Sequence, residues 1–329
     1  MDVARSAGVD KALVSRVVNE DPTLMIRPAT RERIVTALKE LGYRPHSVAR
    51  SLRTDRAKTV GLFVPDFANP VYAEIISGAD AAALALGNVL MIGSEQAGSE
   101  DPKAFLTLLD QSRVDGVLLA GGSVSSKQQK LLSEQGVPWL LVNRRSNHAD
   151  RYLVLDDEYA SRLAVNHLLD LGHTHIAHVG GPLGSDTAER RRDGYLEAMK
   201  VVGLETDMLI QPSDYSPRGG AEATAMLLNS NAEITAIFVA NVASAIGVLG
   251  ELSRRGVKVP KQVSVVALHD LPLAAYLVPS LTTVSMPLHT LGARAVELLL
   301  SSDVNEPIHE VVSHPIVLIQ RKSTGQAPK

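Results

Sequence analysis

The chain has 329 residues, of which 45% are apolar, so it is long enough for two or more domains with substantial cores. It contains no cysteine, which excludes disulfides, thiolate metal sites and cysteine nucleophiles. No apolar run reaches the length of a membrane span and no signal-peptide core occurs at the start, so the sequence predicts a cytoplasmic protein without a membrane partner.

The net charge of −3 is unevenly distributed along the chain. Residues 1–58 carry twelve lysines and arginines against seven aspartates and glutamates, a net charge of +5, so the remainder carries −8. A small basic segment attached to an acidic body is typical of a module that meets phosphates, although it is also often an ordinary solvated surface.

Residues 1–45 predict short helices separated by turn signals. Ala4, Gly8 and Val14 have the spacing of a helix-turn-helix, which needs a small residue in the first helix, a glycine in the turn and an apolar residue that holds the second helix. Asp10 precedes the second helix and is predicted to be its N-cap. The spacing also fits an ordinary amphipathic helical hairpin.

The second helix is predicted to bury Val14, Val17 and Val18 and to expose a polar face. Lysine, arginine, serine and asparagine side chains on such a face suit the base edges and phosphates of a major groove. The residues of this face are Lys11, Ala12, Ser15, Arg16 and Asn19.

A third helix is predicted from Arg31 to Leu41, with Thr30 as its N-cap and Gly42 at its end. Its apolar face would comprise Ile34, Ala37, Leu38 and Leu41. The next segment, HSVARSLR, is short and weakly helical, with arginines around an apolar side. Such an element suits insertion into a minor groove, or it is a plain linker between domains.

From Thr59 onward, short β-branched runs, several of which end in glycine or proline, alternate with helical stretches, which predicts βαβ units and parallel sheets. Roughly 270 residues of this pattern exceed one ordinary doubly wound sheet, so two similar lobes are predicted. The runs are TVGLFVP, VLMIGS, GVLLAG, PWLLVN, HIAHVGG, AIFVAN and VSVVAL.

Several motifs along the chain resemble, in the same order, those of the lactose/galactose repressor family of bacterial transcription regulators. They are DVARSAGVDKALVSRVVN, TRERIVTALKELGYRPHSVARSLR, NPVYAEIISG, RVDGVLLA, LGHTHIAHVGGP, RRDGY and VSVVALHD. The resemblance covers essentially the whole chain. It implies a small all-α helix-turn-helix head and an α/β two-lobed, periplasmic-binding-protein-like core, with parallel sheets flanked by helices.

The resemblance also implies the boundaries of these parts. Residues 1–45 would form the helix-turn-helix DNA-binding domain, 46–58 the hinge helix and linker, and 59–329 the effector-binding and dimerisation core. The two lobes would comprise about 59–156 with 285–313, and about 157–284 with 314–326.

By position, the resemblance puts Lys11, Ala12 and Arg16 at base-reading places and Leu52 at the minor-groove wedge. Ala12 departs in character from a polar reader, since a methyl group contacts thymine but forms no hydrogen bond. The predicted DNA-binding residues are Lys11, Ala12, Ser15, Arg16, Asn19, His46, Leu52 and Arg53.

Two-lobed cores of this kind bind ligands at the carboxyl ends of their strands, in the crevice between the lobes. The resemblance implies an effector site there, with Asp66, Asn69 and Tyr72 at one lip and Arg191 as the effector-contacting arginine. The predicted effector-binding residues are Asp66, Asn69, Tyr72, Asn143, Arg144, Arg191, Asn241 and His269.

Asn143, Val242 and His269 stand where the family usually has aspartate. Aspartates accept hydrogen bonds from the hydroxyls of a neutral sugar, so their loss beside retained arginines makes the predicted pocket more positive. A sugar acid or another small carboxylate is therefore an expected effector, besides a neutral sugar. Alternatively, Arg144 points to solvent and Asp270 turns inward to replace a lost aspartate.

The sequence therefore predicts a homodimeric transcription repressor that binds a palindromic operator in double-stranded DNA and responds to a small effector. A solute-binding protein with the same core fold is the alternative, and it would need a signal peptide and no basic head. The sequence has no GxSxG elbow, and it places no third metal ligand beside His173 and His175. Neither catalysis nor a metal or other cofactor is predicted.

Overall fold

A computed structural model describes most of the chain as two compact units, Met1–Ala57 and Lys58–Lys329. The described residues are 2–18, 21, 23–42, 57–94, 114–120, 132, 134, 136–146, 149–204, 208–230, 233–303, 306–312 and 315–328. Of the predicted DNA contacts, Asn19, His46, Leu52 and Arg53 lie outside these residues.

The first unit contains the helices α1 (Asp2–Ala7), α2 (Lys11–Val18) and α3 (Pro28–Glu40). Gly8 lies in the turn between α1 and α2 with a φ of +61°, a conformation that glycine adopts without steric penalty. The predicted helix-turn-helix spacing is thereby confirmed. The side chains of its core are Val3, Ala4, Ala7, Val14, Val17, Leu24, Ile34 and Ala37.

The N-cap prediction for α2 is also confirmed. The Asp10 carboxylate accepts a hydrogen bond from the backbone N–H of Ala12 at 2.6 Å. This bond satisfies one of the amide groups that the start of a helix leaves without an intrahelical partner, and the negative charge favours the positive end of the helix dipole.

The prediction that Thr30 caps the third helix is wrong. Helix α3 begins earlier, at Pro28, and its N-cap residue Arg27 makes no side-chain capping hydrogen bond. Proline is favoured at the first helical position because its φ is already helical and its missing N–H has no partner to lose there.

The end of α3 differs slightly from the predicted one. The helix ends at Glu40, and Gly42 has a φ of +57°, as expected of a glycine that ends a helix. Ile34 and Ala37 of the predicted apolar face are buried, but the prediction for Leu41 is wrong: it is 48% exposed because the helix has already ended.

The second unit alternates strands and helices. Its described elements are β1 (Thr59–Val64), α4 (Val71–Ala85), β2 (Val89–Ser94), β3 (Gly116–Leu119), β4 (Trp139–Val142), β5 (Arg151–Leu155), α5 (Asp157–Asp170), β6 (Ile176–Val179), α6 (Asp186–Val201), β7 (Leu209–Gln211), α7 (Pro217–Asn229), β8 (Ala236–Val239), α8 (Val242–Arg254), β9 (Ser264–Leu268), a 3₁₀ helix (Pro272–Ala275), β10 (Thr282–Ser285), α9 (Leu288–Ser301), β11 (Ile308–Val312) and β12 (Val317–Ile319).

These strands form two six-stranded sheets. The first sheet has the order β11-β5-β4-β3-β1-β2 and is parallel throughout. The second has the order β12-β10-β9-β8-β6-β7 and is parallel except for β12, which pairs antiparallel with β10. The inner strands are buried apolar runs, as expected of parallel sheets covered by helices on both faces.

The chain passes between the two sheets three times. It leaves the first sheet after Leu155, returns between Ser285 and Leu288, and reaches the second sheet again between Val312 and Val317. Any change in the relative position of the sheets must therefore be accommodated by these three short segments.

Helices α4 and α9 approach each other closely through glycines. A Cβ atom on Gly78 would lie 1.9 Å from the His289 carbonyl oxygen, and one on Gly292 would lie 1.9 Å from the Ile75 carbonyl oxygen. Both positions therefore require glycine, because the contact is with backbone atoms that cannot rotate away.

Candidate functional site

The outward face of α2 is polar because Val14 and Val17 are buried on its other side. Lysine and arginine on an exposed helix face supply donors for base edges and phosphates. The exposed residues of this face are Lys11, Ala12, Ser15 and Arg16. Their contact with DNA stays a prediction.

Arg16 is held by the segment that follows α2. Its Nε donates to Asp21 Oδ2 at 2.7 Å, and its Nη2 donates to Thr23 Oγ1 at 3.1 Å. Hydrogen bonds from Thr23, and then from Arg16, lower the pKa of Asp21 to about 2, so this carboxylate is ionised at neutral pH.

In the second unit, polar side chains gather where parallel strands of both sheets end. Asn143 directly follows β4, Asn241 follows β8 after one residue, and His269 directly follows β9. Asn143 and His269 have positive φ angles of 61° and 70°. Non-glycine residues rarely adopt this conformation, and where it persists it is often at a functional site.

Helix α6, which joins β6 to β7 of the second sheet, contacts the first sheet beside these strand ends. The Asp186 carboxylate on α6 accepts the backbone N–H of Arg145, in the loop after β4, at 2.8 Å. Arg190 Nη1 donates to the carbonyl oxygen of Leu155, at the end of β5, also at 2.8 Å. The cleft is defined here as the group Asp66, Tyr72, Asn143, Arg144, Arg191, Tyr215 and His269.

A buried carboxylate holds the arginines of α6. Asp157, which is 0% exposed, accepts hydrogen bonds from Arg190 Nη1 and, at 2.7 Å, from Arg191 Nε. Burial raises the pKa of Asp157, but the charges of the two arginines outweigh this effect and hold it below its ordinary value. Arg191 also donates to the Ala240 carbonyl oxygen at 2.9 Å, which fixes its guanidinium at the base of the cleft.

His269 is a neutral hydrogen-bonding group. Burial first, and then the charge of Arg191, lowers its pKa to about 3. Its Nε2 lies 3.4 Å from Arg191 Nη2, and a guanidinium only donates, so Nε2 accepts and Nδ1 carries the hydrogen. This Nδ1–H is buried without a partner among the described residues, as is the acceptor Asn143 Oδ1.

Tyr72, in the first turn of α4, is close enough to Arg191 and Arg144 for their charges to act on its pKa. Burial raises the pKa of its phenol to about 12, and the charges of Arg191, Tyr215, Arg144 and Asp66 also act on it. The structure therefore brings these residues together around one phenol. Neither Tyr72 nor His269 titrates near neutral pH, which suits binding better than proton transfer.

Sequence reasoning missed Tyr215 and Asp157. Arg191 lies 5.4 Å from the centroid of the Tyr215 ring, and the Tyr215 hydroxyl is 3.1 Å from Thr187 Oγ1. Tyr215 has a φ of +64°, and no spacing in the sequence indicates its position. Asp157 stands in LDDEY, where an acidic residue is typical of an ordinary helix start.

Three predicted effector residues make local hydrogen bonds. Asp66 Oδ1 accepts the N–H of Ala68 at 2.8 Å, and Asn69 Oδ1 accepts the N–H of Val71 at 3.2 Å. Asn241 caps α8 by accepting the N–H of Ser244 at 2.9 Å, and its Nδ2 donates to the Tyr215 carbonyl oxygen at 3.1 Å. Asn241 therefore shapes the Tyr215 loop, and its contact with an effector stays a prediction.

The alternative in which Asp270 turns inward is wrong. Asp270 Oδ1 accepts hydrogen bonds from Arg321 at 2.7 Å and from Thr283 Oγ1 at 2.6 Å. Because Arg321 and Thr283 already bind this carboxylate, it does not take the place of a pocket aspartate.

The histidines of GHTHIAH have structural roles. His173 and His175 lie just before β6, and neither is part of that strand. His173 lies 3.0 Å from Thr235 Oγ1, Ser264 Oγ and the Gly325 carbonyl oxygen, and it joins the sheet to the C-terminal segment. In the part of the chain that the structure describes, no three His, Asp or Glu side chains are grouped as metal ligands.

None of the described helices combines the length and the apolar character that crossing a membrane requires.

Two family profiles match the chain. The profile of the bacterial regulatory proteins of the lacI family matches residues 1–46, and that of a periplasmic binding protein-like domain matches residues 165–324. These ranges fall in the first and the second compact unit respectively.

Curated relatives match over nearly the whole chain. Catabolite control protein A of Priestia megaterium is 33% identical over 328 residues, which cover 98% of each chain. The ribose operon repressor of Escherichia coli (strain K12) is 32% identical over 302 residues, 91% of each chain.

Solved structures agree with these relatives. The lac repressor dimer bound to operator and the anti-inducer ONPF has a TM-score of 0.87 and 28% identity, with 98% of each chain covered. The complex of the transcriptional regulator CelR with cellobiose has a TM-score of 0.75 and 30% identity, again with 98% of each chain covered. The chain therefore belongs to the lacI family of bacterial regulatory proteins and is a transcriptional regulator.

Proposed function

We propose that this protein represses transcription by binding a palindromic operator as a homodimer, and that a small effector in the cleft sets its affinity for that operator. The observation that carries the proposal is the exposed face of α2, where Lys11 and Arg16 stand opposite the buried Val14 and Val17. Relatives named as repressors, and the lac repressor dimer bound to operator, support it.

The cleft has a binding role in this proposal, and it catalyses no reaction. A ligand that contacts both Tyr72 and Arg191 would hold the two sheets in one arrangement. The three short segments that join the sheets transmit such a change through the core. Because coupling between two sites is reciprocal, the effector that alters operator affinity has its own affinity altered by DNA to the same extent.

Operator binding is tested by selecting duplexes from random DNA with the full chain. The expected result is a palindromic site that is bound about 10³-fold or more tightly than random duplex. The logarithm of the affinity should fall linearly with the logarithm of the salt concentration. Lys11→Ala and Arg16→Ala should weaken binding to the selected site. Absence of any sequence-selective, salt-dependent binding would refute the proposal and favour a solute-binding protein.

We further propose that the effector is a hydroxylated carboxylate, such as a sugar acid. The carboxylates of Asp157, Asp186 and Asp270 are already bound by arginine side chains, so they are poorly placed to accept hydrogen bonds from sugar hydroxyls. The cleft offers the His269 Nδ1–H as a buried donor, and Arg144 and Arg191 place positive charge beside Tyr72, where Asp66 is the one carboxylate of the group. Donors suit a carboxylate, and the acceptor Asn143 Oδ1 suits one hydroxyl.

Thermal-shift measurements with sugar acids and with neutral sugars of the same size test the effector class. Sugar acids are expected to raise the melting temperature, since a ligand at 100 times its Kd stabilises by about 2.7 kcal/mol. Arg144→Gln should abolish the shift, whereas Arg162→Gln, which removes an equal charge from an exposed ion pair with Glu197, should keep it. Stabilisation by neutral sugars but by no carboxylate would contradict the proposal.

A further inference from the structure

The contact between α2 and the segment after it has a second component besides the side chain of Arg16. The backbone N–H of Asp21 donates to the Arg16 carbonyl oxygen at 3.1 Å, so both the main chain and the carboxylate of Asp21 are attached to the same arginine. Asp21 Oδ1 in turn accepts the N–H of Thr23 at 2.8 Å and its hydroxyl at 2.7 Å. The three residues form one closed hydrogen-bonded cluster.

This cluster leaves Arg16 able to bind another group. A guanidinium has five N–H donors, and the two contacts with Asp21 and Thr23 use one on Nε and one on Nη2. Within the described residues no other group accepts from Arg16, which leaves three donors, including both on Nη1. A bidentate contact with the O6 and N7 atoms of a guanine needs only two. The side chain of Arg16 is 45% exposed, so a partner can reach these donors.

The stability that this cluster adds to the first unit is too small to explain its presence. The side chains of Arg16 and Asp21 are 45% and 28% exposed, and ion pairs at such positions contribute little to folding. An arginine that is already held loses less side-chain freedom when it binds a base, because part of its rotamer entropy has been lost on folding. A carboxylate close to DNA also repels phosphates, which weakens binding to every sequence alike.

We propose that Asp21 and Thr23 are positioning residues that orient the Arg16 guanidinium for direct base contact, so that they set the discrimination at one base pair of each half-site. The role rests on the proposed operator binding. Asp21 raises specificity because it aligns the reading group, whereas its negative charge lowers affinity for operator and random duplex alike and leaves their ratio unchanged. Neither residue needs to touch DNA itself.

The experiment uses the full chain and the operator selected from random DNA. The Kd is measured at one salt concentration for that operator, for operators with a single base-pair change at each half-site position, and for random duplex. Asp21→Asn is compared with Glu32→Gln, because each removes one negative charge and Glu32 lies exposed on α3. Arg16→Ala identifies the position that Arg16 reads.

Asp21→Asn is expected to lower discrimination at the Arg16 position by about 3- to 10-fold and to leave the other positions unchanged. Its affinity for random duplex should rise about as much as that of Glu32→Gln. In the Arg16→Ala background, Asp21→Asn should have no further effect on discrimination. Thr23→Val should act in the same direction as Asp21→Asn, and Thr23→Ser, which keeps the hydroxyl, should restore wild-type discrimination.

Other outcomes overturn the proposal. Equal loss of discrimination at all positions would show that Asp21 only supports the fold of the first unit. Retained discrimination in Asp21→Asn, at a position where Arg16→Ala loses it, would show that Arg16 needs no positioning, while operator binding itself stands. If the unsubstituted chain selects no operator, the proposed function fails instead.

Discussion

Asp157→Asn is expected to lower the free energy of unfolding of the second unit by about 3–5 kcal/mol, the range found when one partner of a buried ion pair is removed. Asp157 is 0% exposed, and Arg190 and Arg191, which it binds, are 4% and 3% exposed. Without the carboxylate, Arg191 has no carboxylate partner among the described residues, and Arg190 next to it keeps only Asp186. Water cannot solvate them there, so the folded state carries the penalty.

The effect can be measured by urea unfolding followed through the fluorescence of Trp139, the single tryptophan of the chain, which lies in β4. Asp193→Asn is the matched control. It removes a carboxylate from α6, the helix that carries Arg190 and Arg191, where Asp193 pairs with Arg192 at 3.0 Å with both side chains about half exposed. This change should cost at most about 1 kcal/mol. A similarly small loss for Asp157→Asn would show that the buried arginines do not depend on that carboxylate.

Acidification from pH 7 to pH 5 is expected to lower the free energy of unfolding by about 4 kcal/mol, about 2 kcal/mol from each of two buried histidines. Burial is the main cause that lowers the pKa of His178 to about 4 and that of His269 to about 3, from 6.5. Below pH 6.5 the unfolded chain binds protons that the folded chain refuses. The contribution of these histidines to the free energy of unfolding is therefore fully present above pH 6.5. It decreases as the pH falls, until the pH reaches their pKa values in the folded protein.

Urea titrations at several pH values between 5 and 7 measure this dependence. His269→Asn should reduce the slope below pH 6 by about 1.4 kcal/mol per pH unit, the value for one proton. Asparagine tolerates the positive φ of position 269 better than most residues. His178→Phe should reduce the slope equally, because phenylalanine can stack between Tyr195 and Phe238 as the imidazole does. A free energy of unfolding that does not change between pH 7 and 5 would contradict the assignment of both histidines as buried and neutral.

Much of the fold follows from short-range patterns. Each of the seven apolar runs named from the sequence contains a strand. Six of these are inner strands, which read as continuous buried runs, and β2 is an edge strand. The strands β5, β7, β10, β11 and β12 were not predicted. Four of them mix polar and apolar residues, as in RYLVL and IHEVV, and β12 has only the three residues VLI, so these short stretches carry no clear strand signal.

The candidate site was predicted less completely than the fold. The resemblance placed Arg191 and His269 in the cleft, and the structure brings them within 3.4 Å of each other. Tyr215 and Asp157 were missed, and Asn241 was assigned only to the effector although its amide group caps α8. A motif identifies a position in the chain, but it does not say which hydrogen bonds its side chain has already formed.

The sequence by itself determined the helix-turn-helix and the alternation of strands and helices. Gly8 and Asp10 act within a few residues of their own positions, so their roles follow from backbone conformation and helix capping alone. Only the tertiary structure determined which side chains in the cleft are charged and which are neutral. Asp157 binds Arg191, which lies 34 positions away in the sequence, and Arg191 contacts His269, which lies 78 positions away. Such pairs form because packing of the sheets brings distant strand ends together, and burial then determines which groups stay charged and which stay neutral.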